Sequence, residues 1–232
     1  MLLLSIDASG KSAACAVTDG DKVICSEFIN SGLTHSQTLL PMIDKMLKEA
    51  NVDIKDIDAF AITNGPGSFT GLRIGISTIR AFAQAMNKPV VAVNTLEALA
   101  YNMQGYKGAI IPMLDARRNE VFTAAYEFCG EELKTVIEPC VMTIEEIADR
   151  FHGVGAMLNG DGAIIHRGVL ENVDGFEFPL QNLLETRASA VASLAFLRAD
   201  KSINYNEVQP LYLRKSQAER EYDGREKNDS NR

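Results

Sequence analysis

The stretch Asn64-Gly65-Pro66-Gly67-Ser68-Phe69-Thr70-Gly71-Leu72-Arg73-Ile74-Gly75 decides how this chain is built. It follows the apolar run Ala59-Phe60-Ala61-Ile62-Thr63 and opens a helical pattern, so it reads as a strand-loop-helix joint. Gly65 and Gly67 can take positive φ and admit a close neighbour, Pro66 stiffens the bend, and Ser68 suits the N-cap of the helix. A glycine-rich loop running into a helix N-terminus suggests anion binding. The P-loop template fails here, because no Gly-Lys-Ser or Gly-Lys-Thr follows at the required spacing. Along the helix, Leu72, Ile76, Ile79 and Ala83 form one apolar face, and Gly71, Gly75 and Phe82 lie on a neighbouring one. Two faces imply two contacts, one with a sheet and one with another helix. The glycine stripe is expected to face the helix from Thr34 to Ala50 or a second chain.

Working outward, Leu2 to Ile6, Lys11 to Thr18 and Lys22 to Phe28 read as three strands, the last two joined by the tight turn Asp19-Gly20-Asp21. Thr34-His35-Ser36-Gln37 starts a capped helix, in which Pro41 predicts a kink or a later start. Val90 to Val93 is a further strand and Thr95 to Tyr101 a short helix, followed by the linker-like Asn102 to Gly108. The same grammar then partly repeats. Ala109 to Leu114 is a strand ending in Asp115, Val121 to Tyr126 and Leu133 to Ile137 could be the next two, and Thr143 caps a helix. Met157 to Asn159 reads as a strand, Ala163 to Val169 as a helix, and Arg187 to Ala199 as a long Ala-rich helix. The pattern predicts an α/β chain with a first lobe over 1–104 and a second over 105–214, each a mixed sheet covered by helices. A charged helix or tail that frays into disorder is expected over 215–232.

The chain has 232 residues, enough to bury a sizeable core. Its hydrophobic fraction is 46%, but no apolar run reaches the roughly 20 residues needed to span a bilayer. The N-terminus lacks the pattern of a secretory signal, so a cytoplasmic protein without a membrane role is expected. A formal net charge of −8 argues against nucleic-acid binding over the whole surface. Cys15, Cys25, Cys129 and Cys140 have no Cys-x-x-Cys spacing and read as buried free thiols. His35, His152 and His166 share no metal-ligand spacing. Asp7, closing the first strand before Ala8-Ser9-Gly10, is either a turn-former or the phosphate-facing Asp of a nucleotide site. Asp7, Ser9, Gly65, Gly67 and Arg73 are the residues such a vestigial nucleotide or anion site would use.

Several of these segments together resemble a known family. Ile6-Asp7-Ala8-Ser9, His35 to Pro41, Asn64 to Gly75, Val93 to Leu99, Asp115 to Phe122 and Pro210-Leu211-Tyr212-Leu213-Arg214 are similar to the bacterial TsaB (YeaZ) family, paralogues of the tRNA threonylcarbamoyladenosine transferase TsaD. The resemblance implies the two-lobed actin, hexokinase and Hsp70-like (ribonuclease H-like) fold. It implies an accessory role, without catalysis, in forming N6-threonylcarbamoyladenosine next to the anticodon of ANN-decoding tRNAs. In the catalytic paralogue the segment like Val93 to Leu99 carries a metal-binding His-x-x-x-His. Here those positions resemble Thr95 and Leu99, which cannot ligate iron or zinc, and an old peptidase label for the family would need the same metal. The implied partners are a TsaD-like catalytic subunit, a TsaE-like ATPase, a second copy when the partner is absent, and tRNA only through the complex. The implied contact surface is His35, Leu39, Leu40, Ile43 and Met46 on one helix and Phe69, Gly71, Leu72, Gly75, Thr78 and Phe82 on the next. No cofactor is expected beyond weak or vestigial ATP or ADP binding. The alternative reading is a small phosphotransferase or ATPase using Asp7 and the Gly65-Pro66-Gly67 loop.

Overall fold

In the computed structural model, which describes residues 1–214, the chain forms two five-stranded sheets of one design. The first contains β1 (Leu2–Asp7), β2 (Ala13–Asp19), β3 (Lys22–Ile29), β4 (Ala59–Gly65) and β5 (Val90–Asn94), in the order β3-β2-β1-β4-β5. The second contains β6 (Ala109–Arg117), β7 (Glu120–Cys129), β8 (Glu132–Thr143), β9 (Ala156–Asn159) and β10 (Phe176–Glu177), in the order β10-β9-β6-β7-β8. Reading each strand against its counterpart gives the same order. The directions match as well, with the first three strands of each sheet antiparallel and the last two joined in parallel. This duplication is the two-lobed mixed α/β architecture that the repeated grammar predicts. β1 and β4 are buried on both faces and read as near-continuous apolar runs, whereas β3 lies at an edge and alternates.

Helices α1 (His35–Ala50) and α2 (Phe69–Met86) cover one face of the first sheet. Their inward residues Leu39, Met46, Ile76 and Ile79 meet Leu4, Ile6, Phe60 and Ile62, each at most 4% exposed. Burial of that kind stabilises by about 1.5–3 kcal/mol per large side chain. α3 (Thr95–Tyr101) lies between the sheets. Its Ala98 packs with Leu3 and Val93 of the first sheet, while Leu96 and Leu99 pack with Ile110 and Leu114 of the second. A helix so placed is apolar nearly all round, and every residue from Thr95 to Ala100 is buried. The second lobe carries α4 (Ile144–Phe151), α5 (Asp161–Ile165) and α6 (Arg167–Leu170).

The last helix, α7 (Ala188–Leu197), does not stay with the second lobe. It lies on the first sheet, where Val191, Ala192, Leu194 and Ala195 pack with Leu3, Ala61 and Val91, and the Ser5 hydroxyl donates to the Ala188 carbonyl at 2.7 Å. Its alanines permit that close approach. Ile203 then bridges Val90, and Val208 is buried in the first core. The expected second lobe over 105–214 is therefore not continuous: the chain returns to the first lobe from Ala188 to Val208, and Leu213 and Arg214 contact the second lobe again.

Other boundaries also differ from expectation. α1 runs unbroken through Pro41, which is exposed, so the carbonyl it leaves without an intrahelical donor lies where water can reach it. Lys11 and Ser12 belong to the loop rather than to β2. The expected helix from Ala163 to Val169 is split at His166. All four cysteines are free, but only Cys15 is buried; Cys25 and Cys140 are intermediate and Cys129 is exposed. Burial pushes the Cys15 thiol up to about 12, so it stays protonated and inert. The predicted tail over 215–232 lies outside the described residues.

Candidate functional site

Three successive carbonyls after β1 are held by the β4–α2 joint and the two long helices. A Cβ added to Gly71 would come within 2.1 Å of the Ala8 oxygen, so the helix backbone and this carbonyl are in direct contact. The Ser68 N–H donates to the Ser9 carbonyl at 2.7 Å, and a Cβ on Gly67 would sit 2.4 Å from that same oxygen. The Gly10 carbonyl lies 3.0 Å from His35 Nε2, and because a carbonyl can only accept, Nε2 is assigned the proton. Gly75 completes the seat against Ala8 Cβ and Ile62 Cδ1, at 3.2 and 3.1 Å from an added Cβ. Ser68 caps α2 as expected, accepting from the Gly71 N–H at 3.3 Å.

The expectation that the stripe faces the helix from Thr34 to Ala50 holds only in part: an added Cβ on Gly71 would also lie 3.1 Å from His35 Cδ2 of α1, whereas Gly75 meets Ala8 and Ile62. Both turn inward, onto the loop after β1. The anion reading of the joint meets the same obstacle, since Gly67 faces the Ser9 oxygen and Gly65 faces the Leu211 oxygen, 2.5 Å from an added Cβ. Carbonyl oxygens at those places repel an anion. Arg73 points elsewhere, donating from Nε to the Tyr212 hydroxyl at 3.1 Å.

The outward surface of α1 and α2 carries other residues. Leu40 is 53% exposed, and Ile74, Thr78 and Phe82 are half-buried. A groove of about 860 Å³ runs between α1, Phe82 and the turn at Ile54–Asp56, with Leu40, Leu47, Val52 and Phe82 in its apolar wall and Asp44, Lys48 and Asp53 around them. Of the expected contact residues, Leu39, Ile43, Met46, Gly71, Leu72 and Gly75 are buried inside the lobe. His35 holds the loop after β1, and Phe69 stacks on Tyr212 with ring centroids 4.3 Å apart. Leu40, Thr78 and Phe82 reach the surface.

Behind this face, β1 and β6 lead into a cleft between the lobes, enclosing about 270 Å³. Asp7 is 1% exposed, and its Oδ1 accepts from the Ser9 N–H at 3.2 Å, the Ser9 hydroxyl at 2.6 Å and the Thr63 hydroxyl at 2.5 Å. Burial raises its carboxyl above the usual range, and those hydroxyl bonds offset the rise in part. On the second lobe, Asp161 Oδ1 accepts from the Asp115 N–H at 3.0 Å, and burial raises its carboxyl too. Glu185 accepts from Asn30 at 3.0 Å, linking the lobes at the cleft. The volume is below the roughly 300–1,000 Å³ of sites that hold drug-sized ligands.

Thr95 opens α3 and Leu99 lies one turn on; both are buried, Thr95 with no exposed surface and an unpartnered hydroxyl. The Leu99 carbonyl accepts from Asn159 at 2.7 Å, tying α3 to β9. Among the described residues no three His, Cys, Asp or Glu side chains gather where they could hold a metal.

Sequence reasoning missed how three distant motifs meet. The Leu211 N–H donates to the Asn64 carbonyl at 2.7 Å, Tyr212 covers Phe69, and Arg214 donates to the Ala116 carbonyl at 3.0 Å and pairs with Glu120. The segment Gln209 to Arg214 thus straps the first lobe to the turn after β6. At that turn Arg117, Arg118 and Asn119 have φ of 64°, 59° and 63°, a left-handed run uncommon outside glycine. The pair of Arg198 with Glu97, which joins α7 to α3, was also missed. Only the aromatic and the arginine in Leu211-Tyr212-Leu213-Arg214, late in a polar segment, could have signalled the strap.

The family described as TsaD, tRNA N6-adenosine threonylcarbamoyltransferase, matches residues 30–159, more than half of the chain. The chain is 29% identical over 227 residues to the tRNA threonylcarbamoyladenosine biosynthesis protein TsaB of Bacillus subtilis strain 168, covering 94% of this chain and 96% of that one. It is 30% identical over 171 residues to the protein of the same name from Buchnera aphidicola subsp. Schizaphis graminum, covering 69% of this chain and 79% of that one. The solved structure of YeaZ from Pseudomonas aeruginosa superposes with a TM-score of 0.76 at 27% identity, over 91% of this chain and 99% of that one.

Proposed function

Because the chain belongs to the TsaB family, a branch of the larger TsaD family, we propose that it is a non-catalytic scaffold in the formation of threonylcarbamoyladenosine on tRNA, docking and activating a TsaD-like catalytic subunit through α1 and α2. The observation that carries this reading is the α1–α2 surface. Two helices of 16 and 18 residues lie side by side with Leu40, Ile74, Thr78 and Phe82 reaching the surface, Leu40 and Phe82 in the wall of the groove. Their inner faces are already committed to the sheet and to the loop after β1, so the outer face is the one left for a partner. A helix pair packs against another pair by setting such side chains into the facing grooves. A second copy of the chain occupies the same face when the catalytic subunit is absent, and a TsaE-like ATPase and tRNA join through the assembled complex.

The alternative of a phosphotransferase using Asp7 and Gly65-Pro66-Gly67 has less support, since the glycines meet carbonyl oxygens and the cleft is small. The test is to co-express the chain with the TsaD-like protein of its genome and assay threonylcarbamoyl transfer with and without it. Leu40→Glu should abolish co-purification and the stimulation of transfer while leaving the melting temperature within a few degrees of the parent. Undiminished stimulation by Leu40→Glu would overturn the proposed face.

A further inference from the structure

The interlobe cleft has features that the docking role does not use. Ser12, in the loop before β2, and Thr186, just before α7, are each 5% exposed, line the cleft, and have no side-chain hydrogen-bond partner among the described residues. Neither belongs to the few side-chain atoms that are fully enclosed and unpaired, so both hydroxyls keep surface on the cavity. Asp7 presents a carboxylate to the same space. Its three hydrogen bonds all fall on Oδ1, which leaves Oδ2 for a donor arriving from outside.

Charge and size narrow what that donor can be. Asp7, Asp161 and Glu185 face the cleft against one ammonium, Lys11, so an anion is disfavoured there. The rest of the wall mixes an aliphatic part, Leu99, Leu114 and Leu184 with Ile164 and Ile165 at α5, with the polar Ser9, Asn30 and Gln181. Those two isoleucines are 38% and 49% exposed in a five-residue helix, an arrangement without a packing reason inside the lobe.

We propose that the cleft binds a small primary amine with a short branched apolar body, its ammonium on Asp7 Oδ2, Ser12 and Thr186 and its alkyl part against the leucines and Ile164–Ile165. The cavity of about 270 Å³ admits a molecule of several carbons and is too tight for a nucleoside triphosphate with its metal. The proposal does not rest on the docking role, and its test leaves that role untouched.

The test compares three probes of one shape and different charge, isoamylamine, isoamyl alcohol and isovalerate, titrated into the full chain while amide signals are followed by NMR. Isoamylamine should shift the amides of residues 7–12 and 160–166, binding at least about tenfold more tightly than the alcohol, with isovalerate inert. Thr186→Val keeps the side-chain shape, removes the hydroxyl and should weaken the amine about tenfold. Asp7→Asn keeps an oxygen for Ser9 and Thr63, so it should fold and lose the preference for amine over alcohol. Equal binding of isovalerate, absence of shifts at both segments with all three probes, or amine binding unchanged in Thr186→Val would overturn the proposal. Tight binding of Mg-ATP that displaces the amine would overturn it in favour of a nucleotide site.

Discussion

The two lobes solve one problem in the same way and then diverge. In the first, Gly67 and Gly71 from the β4–α2 joint press on the carbonyls that come after β1. In the second, Gly160 and Gly162 from the β9–α5 joint press on Met113 of β6, with an added Cβ on Gly160 only 2.1 Å from the Met113 oxygen. Each joint also forms a hydrogen bond there, the Ser68 N–H donating to the Ser9 carbonyl after β1 in one lobe and Asp161 accepting from the Asp115 N–H within β6 in the other. The helices beyond the joints differ. α2 runs 18 residues beside a 16-residue α1, whereas α5 stops after five and α4 has eight. The seat is common to the fold, and only the first lobe extends it into a surface large enough to dock another helix pair.

The comparison is broken most directly at the glycines. Gly71→Ala and Gly160→Ala should each destabilise the chain by about 3 kcal/mol or more, because a methyl group would overlap a carbonyl oxygen in both lobes and Gly160 also has φ of 95°. Gly10→Ala, with open space around it, should stay within about 0.5 kcal/mol. Urea unfolding of the three variants checks this, and a well-tolerated alanine at one of the two seats would mean that the lobes are not built alike.

A second test sharpens where the lobes are joined. Arg198→Met breaks the paired hydrogen bonds to Glu97 of α3, which is 9% exposed, and should cost about 1.5–3 kcal/mol in the same assay. The strap is weaker. Tyr212→Ala removes the stack on Phe69 and a bond from Arg73, so a loss of about 1–2 kcal/mol is expected, together with faster amide exchange at Asn64 to Phe69 rather than in the second lobe.

The smallest effect concerns charge. Burial raises Asp7 above its unfolded value, so its contribution to folding is fully present below the unfolded carboxylate pKa and is lost as pH rises through the folded one. The hydrogen bonds from Ser9 and Thr63 offset part of that rise. Asp7→Asn should therefore melt slightly higher than the parent at neutral pH and converge with it in mild acid. A lower melting temperature at neutral pH would show that the carboxylate is stabilised by something beyond these contacts.

Much of this architecture was legible in the residues. The Ala59 to Thr63 strand, the Ser68 cap and the apolar face Leu72-Ile76-Ile79-Ala83 are local patterns, and all are present. The duplication was visible because each lobe begins with an apolar run followed by Asp, at Asp7 and at Asp115, although β6 continues past Asp115 to Arg117. The return of α7 was not, since an Ala-rich helix is compatible with either sheet and its apolar residues go all round. The strap was hidden for a similar reason: a stack of Phe69 on Tyr212 or a bond from Leu211 to Asn64 joins residues far apart in the chain.

The sequence by itself determined the elements, the repeat and the family, because periodicity, caps and turn residues act over a few neighbouring positions. The tertiary structure alone decided which way Gly71 and Gly75 turn. Spacing places them on one stripe of α2, but a missing side chain records only that something comes close, and the Ala8 carbonyl is brought there by the pairing of β1 with β4. That packing moved the outward surface to Leu40, Ile74, Thr78 and Phe82, and left Ser12 and Thr186 facing a cleft that neither lobe could form alone.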